Sequence, residues 1–254
     1  MRLRKQLLTQ NECYRTGGTL RPRGVMVHST GADNPRVARY VPGDGEMGRN
    51  TGGNHWDQLR PGGRQVCVHA FVGRFADGGV GTVQTLPWNM RGWHCAGSAN
   101  NTHIGFEICE DGLCDPAYFQ AVYREAAELT AYLCKEYRLD PLADGVVICH
   151  QEGYRRGLAS NHADVLHWFP RHGRTMDDFR ADVARMLEGE DEEVTYEQWK
   201  GYMDRYREEL AREKPIMPEL MADAKTMGLT DGTRPRDFVT REEAAVMARA
   251  AARK

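Results

Sequence analysis

Three short apolar runs punctuated by Gly, each carrying an ionisable side chain, constrain this chain more than any other feature. Gly24-Val25-Met26-Val27 ends on His28, and Gly145-Val146-Val147-Ile148-Cys149 ends on His150. Ile104-Gly105-Phe106-Glu107-Ile108 encloses Glu107. Runs of this length beside Gly read as buried strands. A His or Glu there is either buried at a cost or aimed into a cleft. Asn161-His162-Ala163-Asp164 follows the last run in a Gly-containing loop. Two His, one Asp and one free Glu are what a hydrolytic zinc site uses: three protein ligands, an open position for water and a separate base.

Each residue also has a plainer reading. A lone His at a strand end is more often a hydrogen-bonded structural residue than a ligand. Here three candidates, His28, His150 and Asp164, each follow the end of an element, as ligands drawn from separate strands and loops do. Asp164 has the alternative of capping the turn before Trp168-Phe169. Glu107 is either a surface residue of an edge strand or a general base with a pKa raised by partial burial. His162 lies two residues before Asp164, and in an extended loop both side chains point the same way. It then serves as a neighbouring donor or oxyanion stabiliser. His69 and His94 are expected to line the cleft. The remaining four, His55, His103, His167 and His172, read as surface or structural.

The pattern along the chain is α/β, with a central mixed sheet flanked by helices, over residues 1–187. Gln65 to Val72 alternates as a half-buried strand, with Val66, Val68, Ala70 and Val72 on one face. Asp77-Gly78-Gly79 is a hairpin signal before a returning strand from Val80 to Leu86. Asp115-Pro116 is an N-cap with Pro at the first helical position. The helix after it carries Tyr118, Val122, Ala126, Leu129 and Leu133 at helical spacing and stops before Asp140-Pro141. A last helix spans Met176 to Leu187.

The composition changes at Glu188, where five of the six residues through Glu193 are acidic. This run reads as a solvated linker. Residues 188–220 hold that linker and an amphipathic helix, Tyr196 to Lys214, with Trp199, Met203, Tyr206 and Leu210 along one narrow stripe. The stripe suits a partner helix, so a homodimer through the C-terminal helices is an expectation. Residues 221–254 read as helix, turn and helix, with Thr240-Arg241-Glu242-Glu243 as a capping box. A piece this short buries little core alone.

Several function classes are excluded or disfavoured. The net charge of −2 gives no case for non-specific nucleic-acid binding. No apolar run approaches the about 18 residues of a transmembrane segment. The first eight residues are basic but lack an apolar core and cleavage site, so no signal peptide is expected and synthesis is placed in the cytoplasm. Seven Cys without regular spacing argue against a disulfide scaffold. Cys67, Cys109 and Cys149 sit in strand-like runs and read as core residues.

These segments resemble, in order, the zinc-dependent N-acetylmuramoyl-L-alanine amidases, the type shared by phage amidases, anhydromuropeptide amidases and animal peptidoglycan recognition proteins. Val27-His28-Ser29-Thr30 is similar to the family's first-ligand strand. Val68-His69-Ala70-Phe71-Val72 with Gly79-Val80-Gly81-Thr82-Val83-Gln84 resembles its hairpin, and Gly92-Trp93-His94-Cys95-Ala96-Gly97 its Trp-His-Ala-Gly segment. Asn101-Thr102-His103-Ile104-Gly105-Phe106-Glu107 is similar to its Glu-bearing strand. The resemblance covers residues from about 20 to 187 and implies a fold expectation of the same mixed α/β sheet.

By position, the resemblance implies Zn2+ on His28, His150 and Asp164, a catalytic base at Glu107, and peptidoglycan as substrate. His162 stands where relatives often carry an oxyanion-stabilising Lys. The loop of thirteen residues between His150 and Asp164 is long for the family, and His162 as third ligand is the alternative. Trp93, His94, Asn101 and His69 are the expected substrate-binding residues. Ala222 to Arg253 resembles a single S-layer-homology-like repeat, which implies wall binding or self-association. Together these imply a lysin of phage or prophage type that reaches the wall after release. A cytoplasmic muropeptide-recycling amidase and a non-catalytic recognition module are the alternatives. Modules of the latter kind typically lose the third zinc ligand.

Overall fold

The computed structural model describes residues 1–191, 196–238, 244–246 and 248–249. The chain divides into two compact units, Met1–Asp191 and Glu192–Lys254.

The first unit is built on one mixed sheet. Its strands are β1 (Leu3–Lys5), β2 (Gly24–Asp33), β3 (Ala70–Arg74), β4 (Val80–Gln84), β5 (His103–Glu110) and β6 (Val147–Cys149), in the spatial order β1-β4-β3-β5-β2-β6. The β3–β4 hairpin is antiparallel, while β3, β5, β2 and β6 run parallel. Parallel strands bring their carboxyl ends to one edge, where open α/β sheets bind ligands. In the β2–β5 register His28 lies opposite Glu107. Strands with this pairing put the two side chains on the same face.

The sheet's two faces divide the labour. Val25, Val27, Ile104, Phe106 and Ile108 point to one side and pack in a single cluster with the long helix α2 (Pro116–Tyr137) and with α4 (Met176–Asp191). Each such residue, fully buried, contributes about 1.5–3 kcal/mol. Tyr118, Val122, Ala126, Leu129 and Leu133 of α2 are all buried. Asp115 caps α2 by accepting from Ala117 N at 3.0 Å and Tyr118 N at 3.1 Å. The opposite face carries His28 and Glu107. It is flanked by α1 (Glu12–Thr16) and its loops on one side, and by α3 (His150–Arg155) on the other.

Three expectations need correction. The first strand of the hairpin starts at Ala70, not Gln65, and is buried on both faces because each face is covered: Ala70 and Val72 belong to the cluster with α2, and Phe71 to the cluster with Tyr40 and Trp56. Phe71 stacks on Tyr40 at 4.7 Å and meets Trp56 edge-on at 5.0 Å. Val68 packs with Phe71 rather than with Ala70, so the alternation read from the sequence breaks between them. The last helix continues past Leu187 to Asp191, because Glu favours helix and one Gly costs only about 1 kcal/mol. Glu188 to Asp191 of the acidic run are therefore helical, while Glu192 and Glu193 lie outside the described residues. Cys67, Cys109 and Cys149 are buried in the core as expected.

In the second unit α5 (Tyr196–Arg212) precedes α6 (Pro218–Thr226), with Pro218 in the first turn of α6. Of the expected stripe only Leu210 is buried; Trp199 and Tyr206 are exposed. Arg207 pairs with Asp237 at 3.0 Å, which ties α5 to the turn after α6. The capping box at Thr240 to Glu243 lies outside the described residues. No described helix is long and apolar enough to cross a membrane.

Candidate metal centre and cleft

His28 stands in the middle of β2, and His150 is the first residue of α3 directly after β6. Asp164 reaches them from the following loop, whose carbonyl accepts from Gln151 N at 3.2 Å. Three donor atoms converge. His28 Nδ1 is 3.0 Å from His150 Nδ1 and 3.1 Å from Asp164 Oδ2, and His150 Nδ1 is 3.5 Å from Asp164 Oδ2. An ion held at the about 2.0–2.1 Å of zinc–ligand bonds in tetrahedral geometry spaces its ligands about 3.3 Å apart. The residues present therefore fit zinc in spacing and in donor type. Among the described residues, His28, His150 and Asp164 are the one group of His, Cys and acids that converges in this way.

The cluster borders a cleft of about 1050 Å3 that is also lined by Glu107, Trp93, His94 and His162. Glu107 is half-buried, and its Oε2 is sequestered without a hydrogen-bond partner. Burial, and then the charges of Asp164 and Glu110, push its carboxyl well above the ordinary value. Next along β5, Glu110 accepts from Gly31 N at 3.1 Å and faces His167 Nε2 at 3.0 Å. That carboxylate in turn raises His167 above the usual imidazole range. His162 is exposed at the cleft, with its ring 4.6 Å from that of His150 and its Nδ1 3.1 Å from Ser160 Oγ. It stands beside the donor cluster and contributes no atom to it.

Three of the expected cleft residues have other duties. His94 borders the cleft, but both its nitrogens are engaged inside the protein: Nδ1 with His28 Nε2 at 2.9 Å and Nε2 with His103 O at 3.1 Å. Burial pushes it well below the usual imidazole value. Asn101 is exposed and accepts from Arg91 Nε at 2.6 Å, while its neighbour Asn100 is buried and lines the cleft. Ser98–Asn101 is a 3-10 turn, in which successive side chains diverge by about 120°, so one inward residue sends the next outward.

His69 does not reach the cleft. It is fully buried, accepts from Gly105 N at 3.0 Å and meets Met90 O at 2.8 Å, so Nε2 carries the proton. Burial lowers its pKa to about 4. An unfolded chain takes up this proton near pH 6.5 and the folded one near 4. Stability is thus full above pH 6.5 and falls as the pH drops toward 4, by about 3 kcal/mol from this ring. Urea unfolding of metal-free protein at both ends of that window measures the loss. A His69→Gln variant should show a shallower dependence, and an unchanged slope would remove His69 as its source.

Sequence reasoning missed Asn100, Ser160 and His167. Ser160 and His167 flank the expected loop residues and carried no periodic signal, and Asn100 is one position from the residue chosen.

Among solved structures, Staphylococcus aureus hydrolase AmiA in complex with its ligand is similar over 73% of this chain and 82% of that one, at 21% identity and a TM-score of 0.54. A mutant structure of PlyL is similar over 72% of this chain and 98% of that one, at 21% identity and a TM-score of 0.50. At such identities the likeness concerns the fold. No curated protein is similar enough to match. Residues 18–170, more than half of the sequence, match the family of N-acetylmuramoyl-L-alanine amidases, and the chain belongs to that family.

Proposed function

We propose that the chain is a zinc hydrolase that cleaves the amide between the lactyl group of N-acetylmuramic acid and L-alanine of peptidoglycan. One observation carries the reading. Three donor atoms from His28, His150 and Asp164 lie within 3.5 Å of one another, beside an unpartnered carboxylate oxygen of Glu107 in an open cleft. When bound, zinc supplies Lewis-acid polarisation of oxygen at that point.

The chain's own groups do the rest. Glu107 Oε2 takes a proton from the attacking water and returns it to the leaving amine. The upward shift from burial suits the second step, because the carboxyl that has taken the water's proton holds it until the amine leaves. His162, when protonated, gives its Nδ1–H to Ser160 Oγ and has an Nε2–H to donate to the oxyanion of the tetrahedral intermediate. Trp93 supplies an apolar wall that orients the substrate. In this reading residues 1–187 are the catalytic unit, and lysis of the wall is the outcome. The tail serves wall binding or self-association, as its S-layer-homology-like pattern implies.

Purified protein assayed for zinc beside wall digestion, with and without a chelator, tests the proposal. About one zinc per chain and chelator-sensitive release of new L-alanine amino termini are expected. Zinc without release on several wall types would favour a recognition module. Protein that takes up no zinc would mean that the donor set is wrong.

A further inference from the structure

We propose that the loop from Trp93 to Asn100 sets the tautomer of both histidines in the donor cluster, acting on His28 through the ring of His94 and on His150 through Ser160. The inference rests on reading His28, His150 and Asp164 as a zinc site. It makes His94 and Ser160 positioning residues rather than substrate contacts.

The assignment follows from which atoms are able to donate. A carbonyl oxygen only accepts, so the 3.1 Å contact of His94 Nε2 with His103 O places a proton on that nitrogen. The neutral ring of His94 then has its lone pair on Nδ1. That lone pair lies 2.9 Å from His28 Nε2, which must be the donor. His28 therefore carries its proton on Nε2 and a bare lone pair on Nδ1, the atom that faces His150 and Asp164.

Ser160 does the same for His150. Its hydroxyl has one proton, which goes to Cys95 O at 3.1 Å. Toward His150 Nε2 at 3.2 Å and His162 Nδ1 at 3.1 Å the oxygen accepts, through its two lone pairs. His150 is thus protonated on Nε2 and bare on Nδ1. Two imidazole lone pairs and a carboxylate oxygen then point at one another with no proton to share, and a cation satisfies all three. Supporting bonds of this kind fix ligand orientation and tautomer in metal sites.

Both supports hang from one buried amide. Asn100 Oδ1 accepts from His94 N at 2.9 Å and Cys95 N at 3.1 Å, and Cys95 Sγ lies 3.2 Å away. This holds the His94 ring and the Cys95 carbonyl in one rigid piece. The facing strand leaves room for the ring, since a Cβ on Gly105 would come within 2.4 Å of His94. Gly105 thus has a reason to be Gly that is independent of backbone angle.

Nitrogen-edited NMR of the histidines in the metal-free full chain reads each tautomer directly. His28, His94 and His150 are expected as Nε2–H rings. In His94→Ala the His28 ring should lose that single state, and in Ser160→Ala the His150 ring should. The signals of His69 and His103 report whether each variant is folded; if His94→Ala is not, Ser160→Ala, on an accessible loop, decides. Competition with a chromophoric chelator should show zinc affinity about 10–100-fold weaker in each folded variant. An Nδ1–H ring at His28 or His150 in the wild type overturns the inference, as does unchanged zinc affinity in the variants. Wild-type protein that shows the expected tautomers yet binds no zinc upholds the tautomer assignment and overturns the zinc reading on its own.

Discussion

Replacing Glu107 with Gln will cut turnover to a small residual rate and leave zinc in place. The substitution keeps the shape of the side chain and removes its ability to take a proton. Loss of a positioned general base costs about 10²–10⁴-fold in rate. Zinc should stay because no atom of Glu107 belongs to the converging donor set. The pH profile gives a second readout with a defined sign. Burial, followed by the charges of Asp164 and Glu110, holds the Glu107 carboxyl well above its ordinary value. A base must be ionised to act, so the wild-type rate should climb with pH through that raised pKa and fall on acidification. The residual rate of the Gln variant should lack that limb. Zinc content and wall digestion measured on one preparation check both parts. A variant that loses its zinc would end the assignment of Glu107 as base.

The second large effect separates Asp164 from His162. Asp164→Ala should strip zinc and activity together, because it removes one of three converging donor atoms. The loss of affinity should exceed the about 10–100-fold typical of a missing supporting contact. His162→Ala should keep zinc and lose about 10²–10³-fold in rate, the size of one lost oxyanion donor. The reverse pattern would make His162 the third ligand and leave Asp164 a turn residue. Zinc titration of both variants, with wall digestion beside it, decides between them.

What was legible in the sequence follows a physical division. The runs before His28 and His150 were readable because a buried stretch of strand is apolar, so the His that interrupts it stands out; His150 does follow the end of β6, whereas β2 continues past His28 to Asp33. Helix α2 was readable because Asp115 and Pro116 mark its start chemically and its buried face repeats at helical spacing. The cleft wall was not legible in the same way. Whether Asn100 or Asn101 turns inward depends on the phase of a single 3-10 turn, which leaves no periodic trace. His69 and His94 looked alike as strand and loop residues beside the site. Their roles are set by what their nitrogens meet across the fold: Met90 and Gly105 for one, His28 and His103 for the other. The acidic run misled because charge predicts solvation, whereas Glu is at home in a solvated helix.

The donor atoms come from residues 28, 150 and 164, which span most of the first unit in sequence. In the unfolded chain His28 is far from the other two, so no local fragment of it gathers the set. An ion bound there would thus be a cross-link that forms only once strands from the beginning and the last third of the unit already lie side by side. Free zinc at a hundred times its dissociation constant would add about 2.7 kcal/mol to the folded state. Zinc supply would then govern how long the protein survives proteolysis as well as whether it is active, and a chelator would shorten the life of the protein along with its activity.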